Sequence, residues 1–127
     1  AYKFKMRAYK TVGDINIYSD FSSIFVACTM PKSTSIKTIG TKSKSITITW
    51  AKVSCTGYQI QYSTSKDMKN AKVITASASS TSKKIQSLTK GKRYYIRIRP
   101  YKKYQKTNGK TYYSYGGYSA KKSIIVK

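Results

Sequence analysis

Histidine is absent from the 127 residues, and acidic side chains are almost absent. The three carboxylates, Asp14, Asp20 and Asp67, hardly offer the carboxylate pair on which glycoside hydrolysis depends. The two cysteines have no imidazole that would activate them as nucleophiles. The sequence also lacks a glycine-rich phosphate loop and any spacing typical of metal ligands. We therefore predict a protein that is not an enzyme and that uses no cofactor and no metal.

Long apolar segments are missing as well. No run reaches the roughly 18 apolar residues that a membrane-spanning helix needs, and no window has the length and period of an amphipathic helix. There is no initiator Met and no charged-then-apolar leader, so we expect a mature or excised piece. A disulfide between Cys28 and Cys55 is left open, with two small buried thiols as the favoured interpretation.

Positive charge is what the sequence has in excess. There are 26 basic residues against 3 acidic ones, a net charge of +23. Residues 1–32 hold five basic and two acidic residues, net +3, whereas residues 33–127 hold 21 basic and one acidic residue, net +20. Such a field attracts polyanions. Because all but four of the basic residues are lysines, which act as hydrated point charges, diffuse attraction to an acidic polymer is favoured over nucleic-acid recognition.

An unequal internal repeat is the most informative pattern. The segment YKFKMRAYK at residues 2–10 returns as YYIRIRPYK at residues 94–102, with apolar or aromatic residues alternating with basic or polar ones. Each copy is followed by a turn containing glycine and then an aromatic–serine pair: Gly13 and Phe21-Ser22 after the first, Asn108-Gly109 and Tyr118-Ser119 after the second. Only the second copy has a long strand-like stretch ahead of it. The chain is therefore predicted to be one complete β module preceded by the last two strands of another.

Short strands dominate the complete module. Ile46, Ile48 and Trp50 alternate with polar residues and so share one face of a strand. The predicted strands cover Ser35–Ile39, Ser45–Trp50, Tyr58–Tyr62, Lys72–Ala76, Lys84–Leu88, Arg93–Tyr101 and Ala120–Lys127. Seven short strands separated by turn signals predict an all-β, antiparallel, immunoglobulin-like sandwich, here preceded by a β-hairpin.

Three segments resemble those of a fibronectin type III domain: ITITW at 46–50, GYQIQY at 57–62 and LTKGKRY at 88–94. The resemblance extends over residues 33–127, and residues 1–32 are similar to the last two strands of a preceding copy. The third segment is similar to the tyrosine corner of the family, in which a Tyr hydroxyl bonds back to the backbone between two strands.

The resemblance implies structural roles for four residues and a cellular location for the protein. The four residues are Trp50, Tyr58, Leu88 and Tyr94. Tyr2 would occupy the corner of the preceding copy. The Lys- and Tyr-rich composition is similar to repeats in secreted or wall-associated proteins of Gram-positive bacteria, which implies an extracellular or cell wall-associated location.

Two stretches are candidates for binding. Tyr95, Arg97 and Arg99 form a row on one predicted sheet face, which is either an anion track or a solvated basic face. The segment 101–118 is predicted to be a ribbon with a two-residue turn at Asn108-Gly109, and its Tyr, Ser, Gly and Asn residues are those that binding loops use. Cross-strand Tyr pairs that hold the ribbon together are the alternative. The predicted contact residues are Tyr95, Arg97, Arg99, Lys102, Lys103, Lys110, Tyr112, Tyr113 and Tyr115.

The predicted partial module leaves one question open, because two strands alone are marginal in water. The missing strands lie in a longer parent chain, or the hairpin completes a sandwich on another subunit, or it packs on its own downstream module. We expect a non-catalytic spacer or adhesive scaffold whose basic ribbon contacts acidic cell-wall polymer, glycan or protein. A filament subunit polymerising through strand exchange and an accessory module of a secreted enzyme are the alternatives. Neighbouring repeats or identical subunits are the expected partners of residues 1–32.

Overall fold

The computed structural model describes residues 2–105 and 109–127, and these are all β-strands, turns and loops. No helix in these ranges is long and apolar enough to cross a membrane. The strands fall into two regions, a hairpin over residues 2–27 and a sandwich that follows it. The all-β, antiparallel fold predicted from the sequence is thereby confirmed.

The hairpin contains four short strands: β1 (Tyr2–Phe4), β2 (Tyr9–Val12), β3 (Ile15–Tyr18) and β4 (Phe25–Ala27). Strand β1 pairs with β4, and β2 pairs with β3, both antiparallel. Val12 pairs with Ile15, which leaves the two-residue turn Gly13-Asp14. Gly13 has a φ of 62°, a conformation that a tight hairpin turn needs and that glycine adopts without strain.

The sandwich contains eight strands: β5 (Ile36–Lys42), β6 (Ser45–Trp50), β7 (Gly57–Ser63), β8 (Lys72–Ser77), β9 (Ser82–Ile85), β10 (Arg93–Gln105), β11 (Thr111–Tyr115) and β12 (Lys122–Ile125). One sheet has the order β5-β6-β9. The other has the order β11-β10-β7-β8, and β12 also pairs with β10. Strands β11 and β12 lie along the same edge of β10, so they are the two halves of one interrupted strand and the predicted count of seven is consistent with the fold.

The core lies between the two sheets and follows the period-two alternation of the strands. Ile46, Ile48, Ile60, Ile96 and Ile98 are fully buried. They pack with the large aromatic side chains of the core, Trp50 and Tyr58, whose ring centroids are 5.2 Å apart.

Two tyrosine hydroxyls reach the backbone from this core. The Tyr58 hydroxyl accepts from the Val53 N–H at 3.0 Å and donates to the Val53 carbonyl at 3.3 Å, and burial raises the pKa of Tyr58 because it disfavours the charged phenolate. The Tyr94 hydroxyl accepts from the Thr89 N–H at 3.2 Å, next to buried Leu88. That bond has the geometry of a tyrosine corner.

The hairpin, in contrast, buries almost nothing. Every residue of β1, β2 and β3 is exposed. The large apolar side chains between Tyr2 and Met30, apart from Val26, keep 46–72% of their surface in contact with solvent. The apolar surface of the hairpin therefore does not pack on the downstream sandwich, which was one of the three options given above. Cys28 and Cys55 are half-buried and form no disulfide with each other.

Candidate functional site

Alternating arginine and tyrosine side chains form a stack on the outer face of the five-stranded sheet. The Arg97 guanidinium carbon lies 3.9 Å from the centre of the Tyr118 ring, and that of Arg99 lies 4.4 Å from the same ring. Arg99 is also 3.9 Å from the Tyr115 ring. These four residues, Arg97, Tyr118, Arg99 and Tyr115, are called the arginine–tyrosine ladder below. Each contact lies within the roughly 6 Å over which a cation is attracted to a ring face.

Two glutamines on β7 orient the ladder. Arg97 Nε donates to Gln61 Oε1 at 2.9 Å, and Arg99 Nε donates to Gln59 Oε1 at 2.7 Å. The register places each arginine directly opposite its glutamine. The Tyr118 hydroxyl also donates to Gln59 Oε1, at 3.3 Å. The Nε atoms of both arginines are therefore bonded within the chain, which holds the two guanidinium groups in the ladder.

Tyr118 reaches its place because the edge strand is interrupted between β11 and β12. Ser119 repairs the hydrogen bonding there: its N–H donates to the Ile98 carbonyl at 2.8 Å, and its hydroxyl oxygen accepts from the Ile98 N–H at 3.1 Å. Sequence reasoning noticed the Tyr118-Ser119 pair only as part of the repeat and did not predict its role. The signal was present, since the pair recurs as Phe21-Ser22.

Beyond the ladder, β10 and β11 continue as a two-stranded ribbon, residues 101–105 and 111–115. Tyr101 lies 5.8 Å from Tyr113 and 6.1 Å from Tyr115, and the Tyr113 and Tyr115 rings are stacked at 6.1 Å with an interplanar angle of 19°. Lys103 pairs with Tyr113 across the ribbon, so both side chains lie on this outer face. The predicted cross-strand Tyr contacts therefore exist.

The base of this tyrosine cluster depends on a glycine. Tyr101 pairs with Gly57 on β7, and a Cβ at Gly57 would lie 2.7 Å from the Tyr101 hydroxyl oxygen and 2.9 Å from the Ala76 carbonyl. The absence of a side chain at position 57 therefore lets the Tyr101 ring lie across β7.

The opposite, inner face of the ribbon contacts the segment that joins the hairpin to the sandwich. Lys102 Nζ donates to Thr29 Oγ1 at 3.3 Å, and the Tyr104 hydroxyl donates to the Thr29 carbonyl at 3.2 Å. Pro31 is buried, and its carbonyl lies so near Gly116 that a Cβ there would be 2.7 Å from the oxygen. This contact between distant segments was not predicted from the sequence.

The structure therefore separates the nine predicted contact residues. Arg97, Arg99 and Tyr115 belong to the ladder. Lys102 faces the connecting segment, and Tyr95 lies half-buried between β7 and β12. The remaining four lie on or beside the ribbon: Lys103, Lys110, Tyr112 and Tyr113. Asn108 of the predicted turn lies outside the described residues, whereas Gly109 has a φ of 77°.

The hairpin repeats the ladder in a second set of residues. Lys5 Nζ lies 4.0 Å from the centre of the Phe21 ring, and the Arg7 guanidinium carbon lies 4.6 Å from the same ring and 4.0 Å from the Tyr18 ring. Tyr9 lies 6.0 Å from Tyr18, matching the 6.1 Å between Tyr101 and Tyr115. The four residues Lys5, Phe21, Arg7 and Tyr18 are called the hairpin stack below.

Backbone pairing is also repeated residue by residue. Tyr9 pairs with Tyr18 as Tyr101 pairs with Tyr115, at displacements of 101 − 9 = 92 and 115 − 18 = 97 residues. The same displacements relate the pairing of β1 with β4 to that of β10 with β12. Ser22 repeats the bonds of Ser119: its N–H donates to the Met6 carbonyl at 2.7 Å, and its hydroxyl accepts from the Met6 N–H at 3.0 Å.

At one pair of corresponding positions the two regions have different residues, and the two changes compensate for each other. In the hairpin, the Ala8 N–H donates to Ser19 Oγ at 2.9 Å, and the Ser19 N–H donates to the Ala8 carbonyl at 3.0 Å. The corresponding positions in the sandwich are Pro100 and Gly116, which keep only the bond from the Gly116 N–H to the Pro100 carbonyl, at 2.9 Å. Proline has no N–H to satisfy, so the serine is not needed there and glycine leaves room for Pro31.

The chemistry available to these surfaces is binding by stacking, charge and hydrogen bonds. In residues 2–105 and 109–127 no group of three or more Cys, Asp or Glu side chains is placed to hold a metal ion. The outer ribbon face combines a lysine with stacked tyrosines, and Tyr113 keeps 51% of its surface exposed.

Comparison with known proteins places this geometry in a family. A family model for the fibronectin type III domain matches residues 30–114. No match to a curated protein was found.

Solved structures share the fold. The FN1–FN3 domains of chicken CNTN1 match with a TM-score of 0.62 at 18% identity, over 98% of this chain and 41% of theirs, so the chain spans less than half of that structure. The fn3 domain of human contactin 1 matches with a TM-score of 0.58 at 18% identity, over 83% of this chain and 87% of its own. A β-1,2-glucanase from Parabacteroides distasonis matches with a TM-score of 0.58 at 12% identity, over 79% of this chain and 13% of its own.

Proposed function

This chain belongs to the fibronectin type III family, and on that basis we propose that it is a non-catalytic module of an extracellular repeat protein. Domains of this family are commonly scaffold modules of extracellular proteins. We infer that this module acts as a spacer or adhesive scaffold, secreted or attached to the cell wall. Its contact surface is the outer face of the ribbon, which meets an acidic polymer or glycan.

The observation that carries this proposal is the position of Lys103 and Tyr113 at the exposed end of an aromatic stack. Tyr113 stacks on Tyr115, which in turn contacts Arg99 of the ladder. A tyrosine held in this way offers a large contact area at a low entropic cost. Lys103 lies beside it as an exposed cation.

The wider charge supports a polyanionic ligand. Residues 33–127 carry a net charge of +20, with Asp67 as their single carboxylate. Because interactions between exposed charges are screened within about 10 Å at moderate salt, we expect binding to weaken steeply as salt rises. The arginines of the ladder contribute through the stack they maintain, since their Nε atoms are already bonded to glutamines.

The test compares two triple variants of equal charge. In the first, Lys102, Lys103 and Lys110 of the ribbon are replaced by Ser. In the second, exposed lysines outside the ribbon are replaced by Ser: Lys42, Lys84 and Lys90. Both variants lose three positive charges, and the ribbon variant also loses the hydrogen bond from Lys102 to Thr29.

Retention on a heparin column is measured along a salt gradient. The ribbon variant is expected to elute at clearly lower salt than the control variant, and Tyr113→Ser should lower retention without any change of charge. Equal elution of the two triple variants would mean that only total charge matters, and the ribbon would then not be the contact surface.

A second candidate is an accessory module of a secreted enzyme. The structural likeness to 13% of a β-1,2-glucanase chain favours it, because this fold also occurs as a minor part of an enzyme. The complete gene sequence separates the two candidates: a catalytic domain in the same reading frame would support the accessory role.

A further inference from the structure

We propose that the inner face of the hairpin is the docking surface for a set of strands equivalent to β5–β9, which precedes the hairpin and completes a second sandwich with it. This rests on the repeat organisation in the proposed function but not on the contact with an acidic polymer. The proposed partner is therefore one segment of chain that supplies both a sheet to cover the inner face and a strand to pair with one edge of the hairpin.

The hairpin has two faces of opposite character. Cross-strand partners share a face and successive residues alternate, so the register assigns each side chain. The outer face carries the hairpin stack and the hydrogen bond from Thr11 Oγ1 to Asn16 Oδ1, 2.7 Å long. The inner face carries Lys10, which pairs with Ile17, and is otherwise apolar, with Phe4, Met6, Val12, Ile15, Ile17 and Phe25. An apolar face of this extent marks an interaction surface.

The sandwich provides the template for what covers this face. By the displacement of 92 residues, Phe4 and Met6 correspond to Ile96 and Ile98, and Tyr2 corresponds to Tyr94. Ile96 and Ile98 are fully buried, whereas Phe4 and Met6 are 52% and 68% exposed. Since the strand pairing and the outer stack are the same, the missing cover accounts for the difference.

The template also shows which strands supply the cover. Ile96 and Ile98 lie in one core cluster with residues of the facing sheet, including Ile46, Ile48 and Ile85. A sheet with the order and apolar alternation of β5-β6-β9 therefore fits the inner face of the hairpin. A single strand or an unstructured peptide would leave most of the face uncovered.

One edge of the hairpin indicates what else the partner must supply. Residues 95–101 of β10 pair with β7, but the corresponding stretch, residues 3–9, pairs only within the hairpin in the described residues. We therefore expect the partner to add a strand along this edge. Gln61 and Gln59 bond the arginines of the ladder, so the added strand should place hydrogen-bond acceptors opposite Lys5 and Arg7.

Structural likeness supports a tandem arrangement. The match to the CNTN1 FN1–FN3 structure covers 98% of this chain, whereas the match to the contactin 1 fn3 domain covers 83%. The extra coverage is what a partial preceding domain would give.

The test extends the chain with its own strands. Residues 33–92 are placed directly ahead of Ala1, so that the duplicated β5–β9 lie before the hairpin as the native β5–β9 lie before β10. A second version carries Phe4→Ile and Met6→Ile, which restores the side chains of β10 and removes any mismatch of size. Hydrogen exchange of residues 2–27 is followed by mass spectrometry, with the native sandwich of each chain as the internal standard.

We expect exchange of the hairpin amides to slow by about a hundredfold or more in the extended chain, because amides covered in a core exchange only through larger unfolding. Unchanged exchange in both versions, with the native sandwich protected, would overturn the proposal. Protection that appears only in a dimer of the original chain would assign the surface to a second copy and would also overturn it. Retention on heparin tests the ribbon separately, so failure here leaves that result unaffected.

Discussion

The hairpin of residues 2–27 and strands β10–β12 of the sandwich have the same outer face and opposite inner faces. Both hold a cation–aromatic stack and the same serine hydrogen bonds to the neighbouring strand. In the sandwich the inner side chains are sealed in a core, and in the hairpin they face solvent. Strand pairing and the stack are therefore local properties of the repeated sequence, whereas burial requires a second layer.

This difference explains how free energy is distributed along the chain. Burial of apolar side chains contributes about 25 cal/mol for each Å² removed from water, and the hairpin obtains little of it. Its outer contacts are individually small, with exposed cation–π pairs at about 0.5–1 kcal/mol. We therefore expect the hairpin to open far more readily than the sandwich. Trp50 is the single tryptophan and lies in the sandwich core, so its fluorescence reports unfolding of the sandwich alone.

The largest difference between the two regions is expected when corresponding inner-face residues are truncated to Ala. Ile98→Ala should lower the free energy of unfolding of the sandwich by about 2–5 kcal/mol, because it leaves a cavity in a packed core. Met6→Ala, at the corresponding exposed position, should change it by less than about 0.5 kcal/mol. Urea unfolding followed by Trp50 fluorescence measures both. A large effect of Met6→Ala would show that the hairpin shares the sandwich core.

An intermediate effect is expected when a residue in one region is replaced by the residue at the corresponding position of the other region. Gly116→Ser gives the sandwich the serine that the hairpin has at Ser19, but its Cβ would lie 2.7 Å from the Pro31 carbonyl and 3.0 Å from Pro100 Cγ. We expect a loss of about 1–3 kcal/mol from this overpacking. Ser19→Gly is the control and should leave the transition reported by Trp50 unchanged. If Gly116→Ser is harmless in the same urea titration, the close approach of Pro31 is not a constraint on the fold.

The smallest effect is expected in the stacks themselves. Arg99→Ala removes contacts to Tyr115 and Tyr118 and the bond to Gln59, so a loss of about 1 kcal/mol is expected. Arg7→Ala removes the corresponding contacts in the hairpin and should leave the Trp50 transition in place. Thermal unfolding compares the two variants. Equal shifts would contradict the energetic independence of the two regions.

Much of the fold followed from period-two alternation and turn residues. The repeat at residues 2–10 and 94–102 predicted two equivalent strands, and their pairing partners proved equivalent as well. The row of Tyr95, Arg97 and Arg99 on one sheet face was predicted, either as an anion track or as a solvated basic face, but the stacking of Arg97 and Arg99 on tyrosines was not. Tyr118 lies 21 residues from Arg97 in sequence (118 − 97), and local alternation carries no information about which ring will cover which guanidinium.

By itself, the amino-acid sequence determined most of the strands, the all-β class, the strong positive charge and the repeat that relates residues 2–10 to residues 94–102. These features depend on residue alternation, turn chemistry and charge, which act over a few neighbouring positions. Only the tertiary structure decided that the arginines stack on tyrosines, that Thr29 and Pro31 lie against the ribbon, and that the inner face of the hairpin has no cover. Those outcomes depend on which distant segments meet, because stacking, close approach and burial all require a partner from elsewhere in the chain.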